Sequence, residues 1–348
     1  MKKRILIAPL NWGLGHATRC IPIINQLILH NYTPVIASDG IALALLKKEF
    51  PTVETIELPA YDVTYAKKGH FFKLKLLKDS PKLLKAIKAE KKATKHLVEN
   101  YNIDGIISDN RLGVHSKNIP SVFITHQLQV LSGNTTWLST KMHQRVIEKF
   151  NECWVPDHEN EPSLSGKLGH MKGIEIPIKY LGPLSRFKRT QIEPLYDLMI
   201  LLSGPEPQRT LLENQLLDAY KQSTKRILCV RGVIEETQSK ITIGNITVYN
   251  FMAGQQLEDA INSSSMMLCR SGYTTVMDLS VLGKKAFFIP TPGQFEQEYL
   301  AKRLDELNLV PYCKQDDFSI DKLDHIQEYK GLDGLNTNAN FKDLFKLF

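Results

Sequence analysis

Two strand-to-helix turns stand side by side in residues 268–304, LCRSGYTTVMDLSVLGKKAFFIPTPGQFEQEYLAKRL, and they leave the chain few folds to choose from. An apolar run, Met266–Leu268, leads into Arg270-Ser271-Gly272, and a helical pattern begins at once, with Asp278 on its first turns. A second apolar run, Ala286–Pro290, follows, and then a Pro/Gly loop ending in Gln297. Adjacent turns of this kind belong to parallel α/β sheets, which bind ligands beyond the carboxyl ends of their strands. A helix starting at Ser271-Gly272 aims free N–H groups and its positive dipole end at such a ligand. The segment therefore predicts a seat for a nucleotide diphosphate.

The rest of the chain repeats the alternation. Arg4–Ala8, Pro34–Ala37, Val53–Leu58, Gly105–Ser108, Ser121–Thr125 and Glu152–Val155 read as strands, with helical spacing at His16–Leu29, Ile41–Glu49 and Pro81–Asn100. Ser80-Pro81 is the expected start of the last of these helices. The pattern lapses into Gly, Pro and charges near Tyr180–Pro194, then resumes at Asp197–Leu202, Gln208–Gln222, Arg226–Val230, Ile246–Tyr249 and Gln256–Asn262. The predicted fold is α/β, with two Rossmann-like doubly wound domains facing each other across a cleft. Residues 1–183 form the first, 184–196 a linker and 197–325 the second; 326–348 is a tail whose helix packs on the first domain.

Charge and cysteines narrow the setting. Eleven lysines against two acids lie between Lys67 and Lys95, a local +9 that leaves about −2 for the remainder of a chain of net charge +7. Phe71, Phe72, Leu74, Leu76, Leu77, Leu83, Leu84 and Ile87 interleave with them. Such a stretch is either a solvated helix face or a basic amphipathic surface for anionic lipid. Nucleic acid is not expected, because arginine is scarce there and no nucleic-acid motif accompanies the run. The basic N-terminus breaks at Pro9 and reads as a first strand, not a leader. Five scattered cysteines without a CxxC pair point to a reducing cytoplasm, with neither a disulfide framework nor a zinc site.

Gly13-Leu14-Gly15-His16 lies between the first strand and the first helix. A turn this short is often only a turn. An imidazole at a helix N-terminus is nevertheless held neutral by the dipole and can take a proton from an attacking hydroxyl. The turn lacks the third glycine of a dinucleotide fingerprint, and Asp39 is the nearest acid to the end of the second strand, which weakens a nicotinamide reading. Asp109 and Arg111 sit at another strand end, and His126-Gln127 at a third. Arg231 is either a phosphate partner or half of a surface ion pair.

RSGYTTVMDLSVLGKKAFFIP…QEYLA, together with GLGHATR, resembles the signatures of the peptidoglycan N-acetylglucosaminyltransferase and its family 28-like relatives in the GT-B superfamily. The resemblance implies a hexosyltransferase that moves a sugar from a UDP-sugar to an acceptor hydroxyl without a metal or other cofactor. It implies Ser271 and Gly272, flanked by Arg270, Tyr273 and Thr274, at the diphosphate. Asp278 falls on ribose, in place of the family's glutamate, and Gln297 on the sugar. Phe251-Met252 falls at uracil, Arg186 near the diphosphate, and Ser203-Gly204 at a Gly-rich loop in which Pro205 and Pro207 replace N–H donors. His16 is the implied base, with Gly13, Gly15, Asp109, Arg111, His126 and Gln127 on the acceptor side. A UDP-sugar hydrolase, a 2-epimerase and a non-catalytic nucleotide-sugar-binding protein remain alternatives on the same fold. The basic segment makes a lipid-linked acceptor, and a peripheral place at the inner membrane face, a further expectation.

Overall fold

The computed structural model of the chain describes residues 2–61, 72–233, 235–335 and 339–348, with side chains throughout except at 72–81. The chain divides into two compact units. One runs to Arg186 and takes in the C-terminal residues through Phe348; the other begins at Phe187.

In the first unit the strands inside the sheet are short apolar runs buried on both faces, as a parallel sheet covered by helices requires, and the two edge strands are half-buried. They are β1 (Arg4–Pro9), β2 (Thr33–Ser38), β3 (Thr55–Glu57), β4 (Gly105–Asp109), β5 (Ser121–Ile124), β6 (Glu152–Val155) and β7 (Ile178–Tyr180). They lie in the order β3-β2-β1-β4-β5-β6-β7, every pair parallel. Helices α1 (Gly15–Leu29), α2 (Gly40–Glu49), α3 (Phe72–Asn100) and α4 (Thr136–Ile147) make connections between strands. The order reverses between β1 and β4, which is where such sheets hold ligands.

Three features of this unit depart from expectation. Helix α3 starts at Phe72 and runs through Ser80-Pro81, so Ser80 is not its cap. The apolar spacing from Leu76 to Ile87 continues across the proline, which removes one N–H bond without ending the pattern. Strand β7, not among the expected strands, adds an edge to the sheet just ahead of the stretch read as linker. Helix α4 escaped notice because its polarity is inverted: Thr140 is buried while Trp137, Leu138 and Met142 are exposed.

The second unit holds β8 (Leu198–Leu201), β9 (Ile227–Val230), β10 (Lys240–Ile243), β11 (Ile246–Tyr249), β12 (Met267–Cys269) and β13 (Ala286–Phe288), in the order β10-β11-β9-β8-β12-β13. Its helices include α5 (Gln208–Tyr220), α6 (Gly254–Asn262), α7 (Tyr273–Leu282) and α8 (Phe295–Glu306). Its switch point lies between β8 and β12. Strand β10 is the one antiparallel member, an exposed edge joined to β11 by the two-residue turn Gly244-Asn245.

The expected linker is mostly docked. Lys188 N–H donates to Glu258 Oε2 at 3.0 Å, Asn262 Nδ2 to Lys188 O at 3.0 Å, and Arg189 pairs with Asp333. The tail ends in α8's successor, α9 (Phe341–Leu344), and seats Phe345 and Phe348 on the first unit. Tyr32 Oη donates to Phe345 O at 2.9 Å. Phe348 lies so close to Gly105 that any Cβ there would overlap its ring.

Candidate active site

In the first unit the chain leaves β1 at Pro9 and turns at Gly13, whose φ of +80° only glycine adopts freely. It enters α1 at Gly15, which puts His16 on the first turn, while Ala17, Cys20, Ile21, Ile24 and Leu27 face the sheet. Asp109 is the last residue of β4, level with Pro9 of β1. His16 and Asp109 therefore meet at the switch point. Nδ1 of His16 lies 2.8 Å from Asp109 Oδ1, and the imidazole keeps 17% of its surface exposed. Among the described residues Nε2 of His16 has no hydrogen-bond partner.

Arg19, one helical turn after His16 and on the same face, donates through Nε and Nη2 to the two Asp109 oxygens. Sequence reasoning quoted this arginine without giving it a role, although its i, i+3 spacing from His16 predicts a shared partner. Burial would raise the Asp109 carboxyl, but Arg19 and His16 outweigh it and hold the group at about 2. Burial, then Arg19, lower the His16 pKa from 6.5; Asp109 pulls part of it back, and His126 lowers it further. The ring stays neutral at physiological pH. His126, 7% exposed beyond β5, brings Nδ1 within 3.3 Å of Arg19 Nη1, and Gln127 N–H is taken by Thr125 Oγ1.

Arg111 does not join this cluster and is not an open acceptor-side residue. Its side chain is wholly buried, paired with Asp39 and, at 2.9 Å, with Glu90, beside the Tyr61 ring. Asp39 does follow β2, where a dinucleotide site would want its ribose acid, but Arg111 and Asn11 occupy both of its oxygens.

In the second unit, the loop after β8 and the turn after β12 flank the switch point. Ser203 and Gly204 are exposed in the former. Gly272 caps α7 in extended conformation and, having no side chain, makes no cap bond of its own, so the start of this helix is without the usual side-chain cap. Thr274 and Asp278 are half-buried on this helix, and Tyr273 is buried.

Several polar residues of this region turn inward instead of toward a ligand. Arg270, 1% exposed, donates to Ile289 O, Pro290 O, Gln208 O and Gln315 Oε1; burial lowers its pKa to about 10. It ties together the segments around the turn, which corrects its expected place among the donor contacts. Ser271 Oγ is given to Gln297 O at 2.8 Å, leaving the serine only its backbone for a phosphate. The Gln297 amide accepts from Thr291 N–H and donates to Gln294 Oε1, so it braces the Pro/Gly loop and retains one N–H for a sugar. Arg231 is the ion-pair alternative: its Nε lies 2.6 Å from Glu213 Oε1. The backbone of Phe251 is engaged by Gln238 and Asn250, whereas Met252's N–H and C=O have no partner among the described residues. Arg186 is half-buried and closes the first unit, not the second. Among the described residues no three His, Cys, Asp or Glu side chains are grouped to hold a metal ion.

Comparison with known proteins agrees with the fold. The sequence model of the glycosyltransferase family 28 C-terminal domain matches residues 206–332. An uncharacterised glycosyltransferase of Methanosarcina mazei is 23% identical over 334 residues, covering 87% of this chain and 83% of its own. The UDP-N-acetylglucosamine–N-acetylmuramyl-(pentapeptide) pyrophosphoryl-undecaprenol N-acetylglucosamine transferase of Haemophilus ducreyi is 25% identical over 215 residues, 59% of this chain and 56% of that protein. In structure, Acinetobacter baumannii MurG superposes with a TM-score of 0.55 at 15% identity, covering 94% of this chain and 90% of its own. Arabidopsis thaliana UGT89C1 complexed with UDP-L-rhamnose gives 0.64 at 13%, covering 100% and 98%. The chain thus has the fold of two Rossmann-like units seen in the GT-B glycosyltransferases, its second unit matches the family 28 C-terminal domain, and it resembles the peptidoglycan N-acetylglucosaminyltransferase.

Proposed function

We propose that the chain transfers a sugar from a UDP-sugar to an acceptor hydroxyl, without a metal, using His16 as general base. The observation that carries this reading is the His16–Asp109 pair at the switch point of the first unit, its Nε2 unpartnered among the described residues. Nε2 takes the acceptor proton while the acceptor oxygen bonds to the anomeric carbon. The bond to UDP breaks, and UDP leaves with the electron pair. Asp109 stabilises the imidazolium that forms, as a buried carboxylate does in hydrolase triads. The growing charge on UDP is met by the N–H groups at the start of α7. The names of the relatives support uridine: one uses UDP-N-acetylglucosamine, another is solved with UDP-L-rhamnose.

Two experiments test the reading. Asp278→Ala should weaken UDP binding by about 1.5–3 kcal/mol, roughly tenfold to a hundredfold in Kd, if the carboxylate holds ribose. Calorimetry with unchanged affinity would remove Asp278 from the site. Incubation with UDP-sugars alone separates the alternatives: release of free sugar marks a hydrolase, epimer exchange an epimerase, and binding with no turnover leaves the transferase or a sensor.

The acceptor, on this reading, is lipid-linked, and the protein works at an anionic membrane face on the cytoplasmic side. Residues 67–71 of the basic segment lie outside the described residues. Along α3, however, Lys82, Lys85, Lys88, Lys91, Lys92 and Lys95 are exposed while Ala86, Glu90, Thr94 and Leu97 are buried. Trp137, 72% exposed, with Leu138 and Met142 adds apolar surface on α4, and Lys141 lies over the indole. No helix among the described residues is long and apolar enough to cross a membrane. Each lysine near an anionic surface is worth about 1 kcal/mol. The protein should sediment with phosphatidylserine vesicles and not with phosphatidylcholine vesicles; equal partition to both would end the membrane reading.

A further inference from the structure

Arg19 is the hub of the polar cluster in the first unit, and its guanidinium is 2% exposed. Nε reaches Asp109 Oδ2 and Nη2 reaches Oδ1, a grip that needs a planar fork. Nη2 also lies 2.8 Å from His16 Nδ1, and Nη1 lies 3.3 Å from His126 Nδ1. A guanidinium only donates, so His126 Nδ1 accepts. Nδ1 of His16 stands 2.8 Å from both the Asp109 carboxylate and the Arg19 guanidinium, and the hydrogen is assigned to Nδ1 because a bare Nδ1 would set its lone pair against the anionic oxygen. Nδ1 therefore carries the hydrogen and shares Oδ1 with Nη2.

We propose that Arg19 is a positioning residue for the transfer: by gripping both Asp109 oxygens it fixes the carboxylate so that His16 keeps its hydrogen on Nδ1 and presents a bare Nε2 to the acceptor. This role presupposes that His16 is the base. The charges support it. The groups facing His16 are Arg19, Asp109 and His126, and the Cys20 thiol donates to Asp109 Oδ2 at 3.6 Å. Guanidinium and carboxylate cancel, so the buried ring meets no net negative charge and stays neutral. A carboxylate alone would hold a second proton on the ring and block the base.

Long-range proton–nitrogen spectra of the full chain, with the His16 signal assigned by its loss in His16→Gln, read tautomer and titration together. The wild type should carry the Nδ1–H tautomer and titrate below 6.5. In Arg19→Met the midpoint should rise by about one to three pH units, since the carboxylate is left uncompensated. Arg19→Lys keeps the charge and loses the fork, so its midpoint should stay near the wild type while the tautomers mix. An Nε2–H tautomer in the wild type, or an unmoved or lowered midpoint in Arg19→Met, overturns the role. Should Arg19→Met fail to fold, Arg19→Lys decides alone, and a pure Nδ1–H tautomer there counts against the fork. A fully active His16→Ala would instead dismiss the base while these spectra still reported on Arg19.

Discussion

Replacing His16 by alanine should cut turnover about 10²–10⁴-fold, the usual worth of a positioned general base, and leave UDP affinity unchanged. Its ring lies in the first unit, on the Asp109 carboxylate, whereas the diphosphate is assigned to the start of α7 in the second. Loss of the base therefore removes an interaction made in the transition state, not one that binds the donor. The pH dependence has a definite sign. The base works deprotonated, and burial with Arg19 lowers its pKa from 6.5, so the acid limb of the rate profile should lie below pH 6.5. Rates in His16→Ala within a few-fold of wild type would show that another group takes the proton.

The α/β architecture was legible because buried parallel strands must be apolar along their length. ILIA of β1, SVFI of β5 and ILCV of β9 allow no other reading once helical spacing separates them. Helix α4 was not legible, since Trp137, Leu138 and Met142 face outward and its periodicity points the wrong way. The alternation of Ile241 and Ile243 before the Gly244-Asn245 turn is a hairpin signal not among the expected strands, and the edge strand β10 leaves both isoleucines exposed. At the sites the sequence supplied polar letters without their partners. Arg270, Ser271 and Gln297 use side-chain hydrogen bonds to tie the surrounding segments together, and Arg231 pairs with Glu213. His16 was the exception, because a helix start after the first strand fixes where its side chain stands. Arg19 needed only the next step, that residues three apart on a helix share a face.

Arg111 is where a misread site residue becomes a strong structural expectation. Arg111→Met should lower the stability of the first unit by about 3–5 kcal/mol, because it strands the carboxylates of Asp39 and Glu90 in the interior. The lower end applies, since Glu90 Oε2 keeps the Tyr61 hydroxyl at 2.5 Å and Gly113 N–H at 2.9 Å, and Asp39 keeps Asn11. The three tryptophans, Trp12, Trp137 and Trp154, all lie in this unit, so their fluorescence in a urea titration follows its unfolding alone. Burial already holds the Glu90 pKa above 4.5, with Arg111 drawing it back. Without the guanidinium it rises further, and the folded state binds a proton that the unfolded chain has released. Stability of the variant must then fall as pH rises above 4.5, so its deficit against wild type should shrink toward pH 5 and widen toward pH 8. Glu90→Gln in the same background should recover part of the loss and flatten that dependence. A deficit below about 1 kcal/mol that ignores pH would mean that the buried pair is not what holds α3 to the sheet.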